Sequence, residues 1–224
     1  MEIAFSNAWK DMFAGAHCGV LQINGVDNTQ NPLRLEAHKR ALETRLQERY
    51  GHMPRADLHS LPILQVYRDY YKQFDNTYHV QLQLESVAHK HKTLPRVSPL
   101  VDANFAAELD TFILTAGHDA DKLEPPLVMD VSCEGETFSQ LSGKTRFLKR
   151  GDMVMRDARG AVCTVLLGQD QRTAISRQTC NVLYVAYAPR GIPKHAVKKQ
   201  LETICELVLT FDENAHIASL AVHG

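Results

Sequence analysis

With 224 residues, the chain has room for one large domain or two small ones, and for a sizeable core without disulfide or metal staples. Its 44% hydrophobic and 23% charged residues are ordinary for a soluble globular protein, and no apolar stretch is long enough to span a bilayer. The net charge of −1, counted with histidine neutral, removes any strong overall attraction to polyanions, although a local basic face can still form.

Five cysteines (Cys18, Cys133, Cys163, Cys180 and Cys205) form no CxxC pair. An odd count at wide spacing indicates neither a disulfide framework nor a zinc cluster. Cys163 lies in an apolar run and reads as a small core residue. The N-terminus, Met1 to Phe5, lacks the basic region and apolar core of a secretory signal, so a cytoplasmic protein is expected.

In chain order, a short helix is expected around Ala8–Phe13 and a strand over Cys18–Ile23, ended by Asn24-Gly25. A clear helix follows, with Asn31 as cap, Pro32 in the first turn and Gly51 closing it. Leu35, Leu42 and Leu46 form its inner stripe. Arg34, Lys39, Arg40, Arg45 and Arg49 line the remainder, either as a solvated face or as one turned to RNA. Ser60-Leu61-Pro62 opens a helix through Phe74, whose Tyr67, Tyr70 and Tyr71 read as core. Tyr78–His91 holds another helical stretch. Ser98 caps the most regular helix, with Pro99 at its first position and Phe105, Leu109, Phe112 and Ile113 on its apolar face. Gly117 sits where a left-handed helix stop is usual, which would put His118 on a loop.

Beyond Pro125-Pro126 the pattern changes to strands: Leu127–Val131, then Phe147-Leu148 and Met153–Arg156 around Gly151-Asp152. Asp157 to Gly160 reads as a hairpin turn into Ala161–Leu167, and Val182–Ala188 as a buried strand. Pro193 begins a final helix to about Phe211, and Ile217–Val222 is a last strand. Helices first, strands next and a closing helix favour an α+β fold. A single domain over 1–224 is expected, with a mostly helical part at 1–95 and a core carrying the pocket at 96–224.

GxSxG, HExxH, P-loop and GxGxxG signatures are missing, and His89-Lys90-His91 is poorly spaced for a metal. No metal or other cofactor is implied. Two polar clusters remain: Gly117-His118-Asp119-Ala120-Asp121 and Gly168-Gln169-Asp170-Gln171-Arg172-Thr173. Polar groups at the ends of rigid elements suit a pocket; the competing reading of His118 is a loop histidine bonded to a nearby carboxylate.

Val101-Asp102-Ala103-Asn104-Phe105 followed by Gly117 to Leu123 resembles the B3/B4 domain of the phenylalanyl-tRNA synthetase beta subunit. There a Val-Asp-x-x-Asn stretch leads through a helix to a His-x-x-Asp turn. The likeness continues in Glu134 to Phe138, Gly151-Asp152, the hairpin and the strand after Thr179, and covers most of residues 60–210. Thr77-Tyr78-His79-Val80 and Gly168 to Thr173 look closer still to free-standing B3/B4 proteins.

That resemblance implies hydrolytic editing in trans, in which the ester of a misacylated tRNA is cleaved; canavanyl-tRNA-Arg is the leading specific substrate. His118 and Asn104 match the histidine and asparagine of the synthetase editing pocket. The glutamate that reads the tyrosine hydroxyl there should fall near Val185, and its absence argues against tyrosine on tRNA-Phe as substrate. An activated ester needs a positioned water and a stabilised oxyanion. His118 is the candidate to orient the water or ribose, or to act as a base if its pKa stays near 6.5. Gln169, Thr173 and Ser176 are candidate donors. Arg172 either meets a tRNA phosphate or pairs with Asp170 or Asp157. A guanidine-like side chain needs a buried carboxylate, for which Asp102, Asp119, Asp121 and Asp170 are candidates and Glu85 a weaker one. Arg34, Lys39 and Arg45 are candidate tRNA contacts beside Arg172. The competing expectations are a non-catalytic RNA-binding module and a binder of free amino acids.

Overall fold

The computed structural model describes residues 1–29 and 32–224; the expected cap at Asn31 lies outside the described residues. The first part runs β1 (Ile3–Phe5), α1 (Asn7–Met12), β2 (His17–Asn24), α2 (Leu33–Tyr50), α3 (Arg55–Leu58), α4 (Pro62–Lys72) and α5 (His79–Ala88). The second runs α6 (Pro99–Thr111), β3 (Thr115–Asp119), a short 3-10 turn at Ala120–Lys122, then β4 (Leu127–Val131), β5 (Thr137–Ser139), β6 (Thr145–Phe147), β7 (Met153–Asp157), β8 (Gly160–Thr164), β9 (Gly168–Gln169), β10 (Val182–Ala188), α7 (Lys194–Leu209) and β11 (His216–His223).

The α+β architecture is as the element order suggested. One sheet has the order β11-β2-β10-β3 and is antiparallel throughout; the other has the order β1-β4-β7-β8-β9, with β1 parallel to β4 and the rest antiparallel. β5 and β6 form a separate hairpin. The run Val182–Ala188 is buried at every residue because it is the inner strand between β2 and β3, covered on both faces. Helix α7 lies directly on β2: a Cβ at Gly19 would stand 2.7 Å from Val197 Cγ1, so only glycine permits this approach.

The tyrosines of α4 are core residues, and they also fix strand ends. Tyr67 stacks on Tyr78 at 4.3 Å, donates to Tyr187 O at 2.6 Å and accepts from Leu114 N at 3.0 Å. Tyr71 donates to Val165 O and Tyr70 to Asp152 Oδ1. Burying a phenol without a partner for its hydroxyl is costly, so each of these three rings locates a backbone or carboxyl group as it fills the core.

One expectation is corrected. Helix α6 does not reach Gly117; it ends at Thr111, with Phe112 taking the left-handed conformation at φ 63°. Gly117 and His118 are inside β3, at an edge of the four-stranded sheet. Gly117 makes room for its neighbours: a Cβ there would sit 2.6 Å from Ile175 Cδ1 and 3.0 Å from the Tyr184 ring, so Ile175 would have to shift.

Candidate functional site

The first residue of β3 ties the site together. Asn104 and Glu108 are four apart on α6 and so share a face. Asn104 Nδ2 donates to Thr115 O at 2.8 Å, and Glu108 Oε1 accepts from Thr115 N at 2.7 Å. From α7, Gln200 Nε2 reaches Thr115 Oγ1 at 2.9 Å. Next to this junction is a recessed cavity of about 80 Å³, space for several waters. Its polar lining includes Asn104, Glu108, Gln169, His79 and Tyr187, with Thr115 and Thr164.

Two of those groups carry unmet hydrogen-bonding capacity. Asn104 Oδ1 and Tyr187 Oη are buried and have no partner among the described residues. Buried polar atoms are rarely left so, and both line the cavity. Burial pushes the Glu108 carboxyl up to about 8, only partly opposed by the bond from Thr115 N, so it is mostly protonated at neutral pH. Sequence reading missed Glu108. The available signal was its i, i+4 relation to Asn104 on the same helix.

His118 is placed differently from the expectation. It is fully buried in β3 and does not line the cavity. Its Nδ1 lies 2.7 Å from Thr173 Oγ1. The single hydroxyl hydrogen of Thr173 is given to Asp170 Oδ1, so Thr173 must accept from His118 Nδ1–H. Neutral His118 therefore carries its proton on Nδ1, leaving Nε2 buried and unpartnered. Burial lowers its pKa to about 4, with Asp157 raising and Arg172 lowering it, rather than leaving it near 6.5. The His118–Thr173–Asp170 chain, with Asp119 N donating to Thr173 O at 2.7 Å, fastens the 168–175 segment to β3 from behind the cavity.

The four aspartates named as partners for a cationic substrate are all engaged elsewhere. Asp102 is paired with Lys39 at 2.7 Å, and Asp119 with Thr179 and Lys122. Asp121 is exposed and accepts from Asn181 Nδ2, and Asp170 holds Thr173 and faces Arg172. Glu85 accepts from Arg55 and Gln81. Ser176 contacts Thr179, outside the cavity lining. Of the named residues, Asn104 and Gln169 are brought together in the cavity wall.

The expected basic face also changes. Arg172 takes the pairing alternative, 2.7 Å from Asp157 and bonded to Lys122 O. Lys39 is not on a surface: it is buried with Asp102 and capped by the half-buried Glu36, and no tRNA phosphate can reach it. Arg34 is paired with Glu213 and Arg45 with Asp110. Among the described residues, no group of three or more His, Cys, Asp or Glu could hold a metal ion, and no helix is long and apolar enough to cross a membrane.

The B3/4 domain model matches residues 65–212, which contain the whole cavity wall. The chain belongs to the B3/4 domain family. Among solved structures, this B3/4 protein is similar to an N-terminal fragment of the phenylalanyl-tRNA synthetase beta-subunit from Pyrococcus horikoshii, at TM-score 0.50 and 11% identity. The match covers 98% of this chain and 49% of that one, so the B3/4 chain spans about half the length of its structural neighbour. At that identity the likeness is one of fold. No curated protein matches the chain.

Proposed function

We propose that the protein is a trans-acting deacylase that cleaves the ester of a misacylated tRNA, with a guanidine-bearing amino acid such as canavanine on tRNA-Arg as the preferred substrate. The observation that carries this reading is Glu108. It is a buried carboxyl in the cavity wall with one oxygen bonded to Thr115 N, beside the unpartnered Asn104 Oδ1 and Tyr187 Oη. A cationic head entering the cavity ionises Glu108 and gains a charge-assisted pair, and Asn104 Oδ1 gains the donor it lacks.

An aminoacyl ester is already activated, so holding a water against its carbonyl and offering donors to the oxyanion suffices. Gln169 is the group in the wall suited to that work, while Asn104 offers its free acceptor to the cationic head. His118, with its low pKa, and Thr173 act as positioning residues that hold the segment carrying Gln169. Val185 is buried between Val20 and Ala116 and offers no polar group to a tyrosine hydroxyl.

The test is a panel of tRNAs charged with correct and incorrect amino acids, including canavanyl-tRNA-Arg, arginyl-tRNA-Arg and tyrosyl-tRNA-Phe, with release of the amino acid followed. Release from canavanyl-tRNA-Arg is expected. No release from any member sinks the deacylase reading and leaves a non-catalytic RNA-binding module or a free amino-acid binder. Release confined to uncharged side chains sinks the role given to Glu108.

A further inference from the structure

Arg34, Lys39, Arg40 and Arg45 of α2 pair with carboxylates of the protein, but a second group of cations does not. Residues 137–151 contain Lys144, Arg146, Lys149 and Arg150 and no Asp or Glu, in a chain of net charge −1. All four are exposed, and among the described residues none forms an ion pair. Two large apolar side chains stand among them, Phe147 at 75% exposure and Leu141 at 56%.

The segment is anchored at both ends. Phe138 and Leu148 pack with Val154 in a small core of their own. The Lys149–Gly151 turn is fixed by Ser132 Oγ donating to Lys149 O and by Gly151 at φ 87°. It also continues into the cavity wall. Gln140 bridges Asp170, and Gln171 N donates to Ser139 O at 2.9 Å, directly beside Gly168 and Gln169.

We propose that the β5–β6 hairpin and the turn after it form the surface that docks the single-stranded aminoacylated end of tRNA. Lys144, Arg146, Lys149 and Arg150 meet its phosphates, and Phe147 stacks on an unpaired base. This rests on the reading of the cavity as a site for an amino acid esterified to tRNA. Unpaired cations around an exposed aromatic ring fit a single-stranded nucleic acid, because phosphates take the charge and any base offers a face to the ring. An acidic protein surface would meet the cations equally well but offers the ring a planar partner only where it carries an aromatic or guanidinium group, whereas every base of a single strand offers one.

The experiment measures binding of uncharged tRNA by fluorescence anisotropy over a range of salt. It uses the wild-type protein, the combined Lys144→Ala, Arg146→Ala, Lys149→Ala, Arg150→Ala variant, Phe147→Ala, and an Arg34→Ala, Arg45→Ala control. The fourfold variant is expected to bind at least tenfold more weakly and to lower the slope of log K against log salt by about 3, since each phosphate contact on a single strand contributes about 0.7. Phe147→Ala is expected to weaken binding about fivefold or more with the slope unchanged, and the control to stay within twofold. Unchanged affinity in both hairpin variants, a loss confined to the control, or no wild-type binding overturns the proposal. So does binding of a polyglutamate peptide as tight as that of tRNA and equally sensitive to Phe147→Ala. Because the tRNA is uncharged, docking stands if no ester is cleaved, and it falls if cleavage persists while the hairpin variants keep full affinity.

Discussion

Lys39 Nζ lies 2.7 Å from Asp102 Oδ2, and both side chains are buried between α2 and α6. Pro95 O accepts a second bond from the ammonium at 2.7 Å, Glu36 Oε1 a third at 2.8 Å, and Asp102 Oδ1 accepts from Val97 N. The pair therefore fastens the segment leading into α6 to the long helix, and so places the helix that carries Asn104 and Glu108.

Lys39→Met is expected to destabilise the protein by about 3–5 kcal/mol, because it leaves the Asp102 charge buried without its partner. Replacing both, Lys39→Met with Asp102→Leu, is expected to cost much less. Urea denaturation of the two variants and the wild type checks this; equal losses would show that the charge itself is not the cause.

Replacing His118 by Ala removes a fully buried ring and leaves Thr173 without its donor, at a cost of about 2–4 kcal/mol by urea denaturation. A loop histidine would have cost almost nothing. The pH dependence has a definite sign. Between 6.5 and about 4 the unfolded chain binds a proton on this residue that the folded chain refuses. Stability therefore falls as pH drops through that window, on the order of 2 kcal/mol for the one group. A His118→Gln variant should show a flatter urea midpoint between pH 6.5 and 4.5 than the wild type.

Glu108 has the opposite sign. Its folded pKa of about 8 stands above the ordinary 4.5, so the folded chain holds the extra proton. That contribution is complete below 4.5 and is lost as pH rises to about 8. Glu108→Gln keeps an acceptor for Thr115 N and does not titrate. Relative to the wild type, the variant should gain in thermal midpoint as pH rises from 5 to about 8, with no further gain by pH 9. A constant offset across that range would mean that Glu108 is already ionised in the folded protein.

If the cavity cleaves esters, Asn104→Ala and Gln169→Ala are each expected to lower kcat/KM on the misacylated substrate by about 10-fold to 1,000-fold, the range for losing one positioned donor or acceptor. Glu108→Gln should raise KM for the guanidine-bearing substrate more than it changes kcat. Single-turnover release from canavanyl-tRNA-Arg measures all three. A Gln169→Ala enzyme with wild-type rates would remove Gln169 from the reaction.

Local pattern alone determined much of this protein. Apolar periodicity located α2, α4 and α6 and the buried strands at 127–131 and 182–188, and the order of short motifs pointed to the B3/4 fold. Propensity acts within a few residues, so these elements need no partner to be read. Only tertiary structure could decide which polar groups are available. Lys39 resembles its exposed neighbours in sequence, yet α6 covers it and supplies Asp102. Gly117 resembles a helix stop, yet its missing side chain makes room for Ile175 and Tyr184 within a strand. Glu108 resembles a solvated helix charge, yet it is sealed against Thr115 in the wall of the cavity. In each case burial sets the charge state and the free hydrogen-bonding capacity, and burial depends on residues far away in the chain.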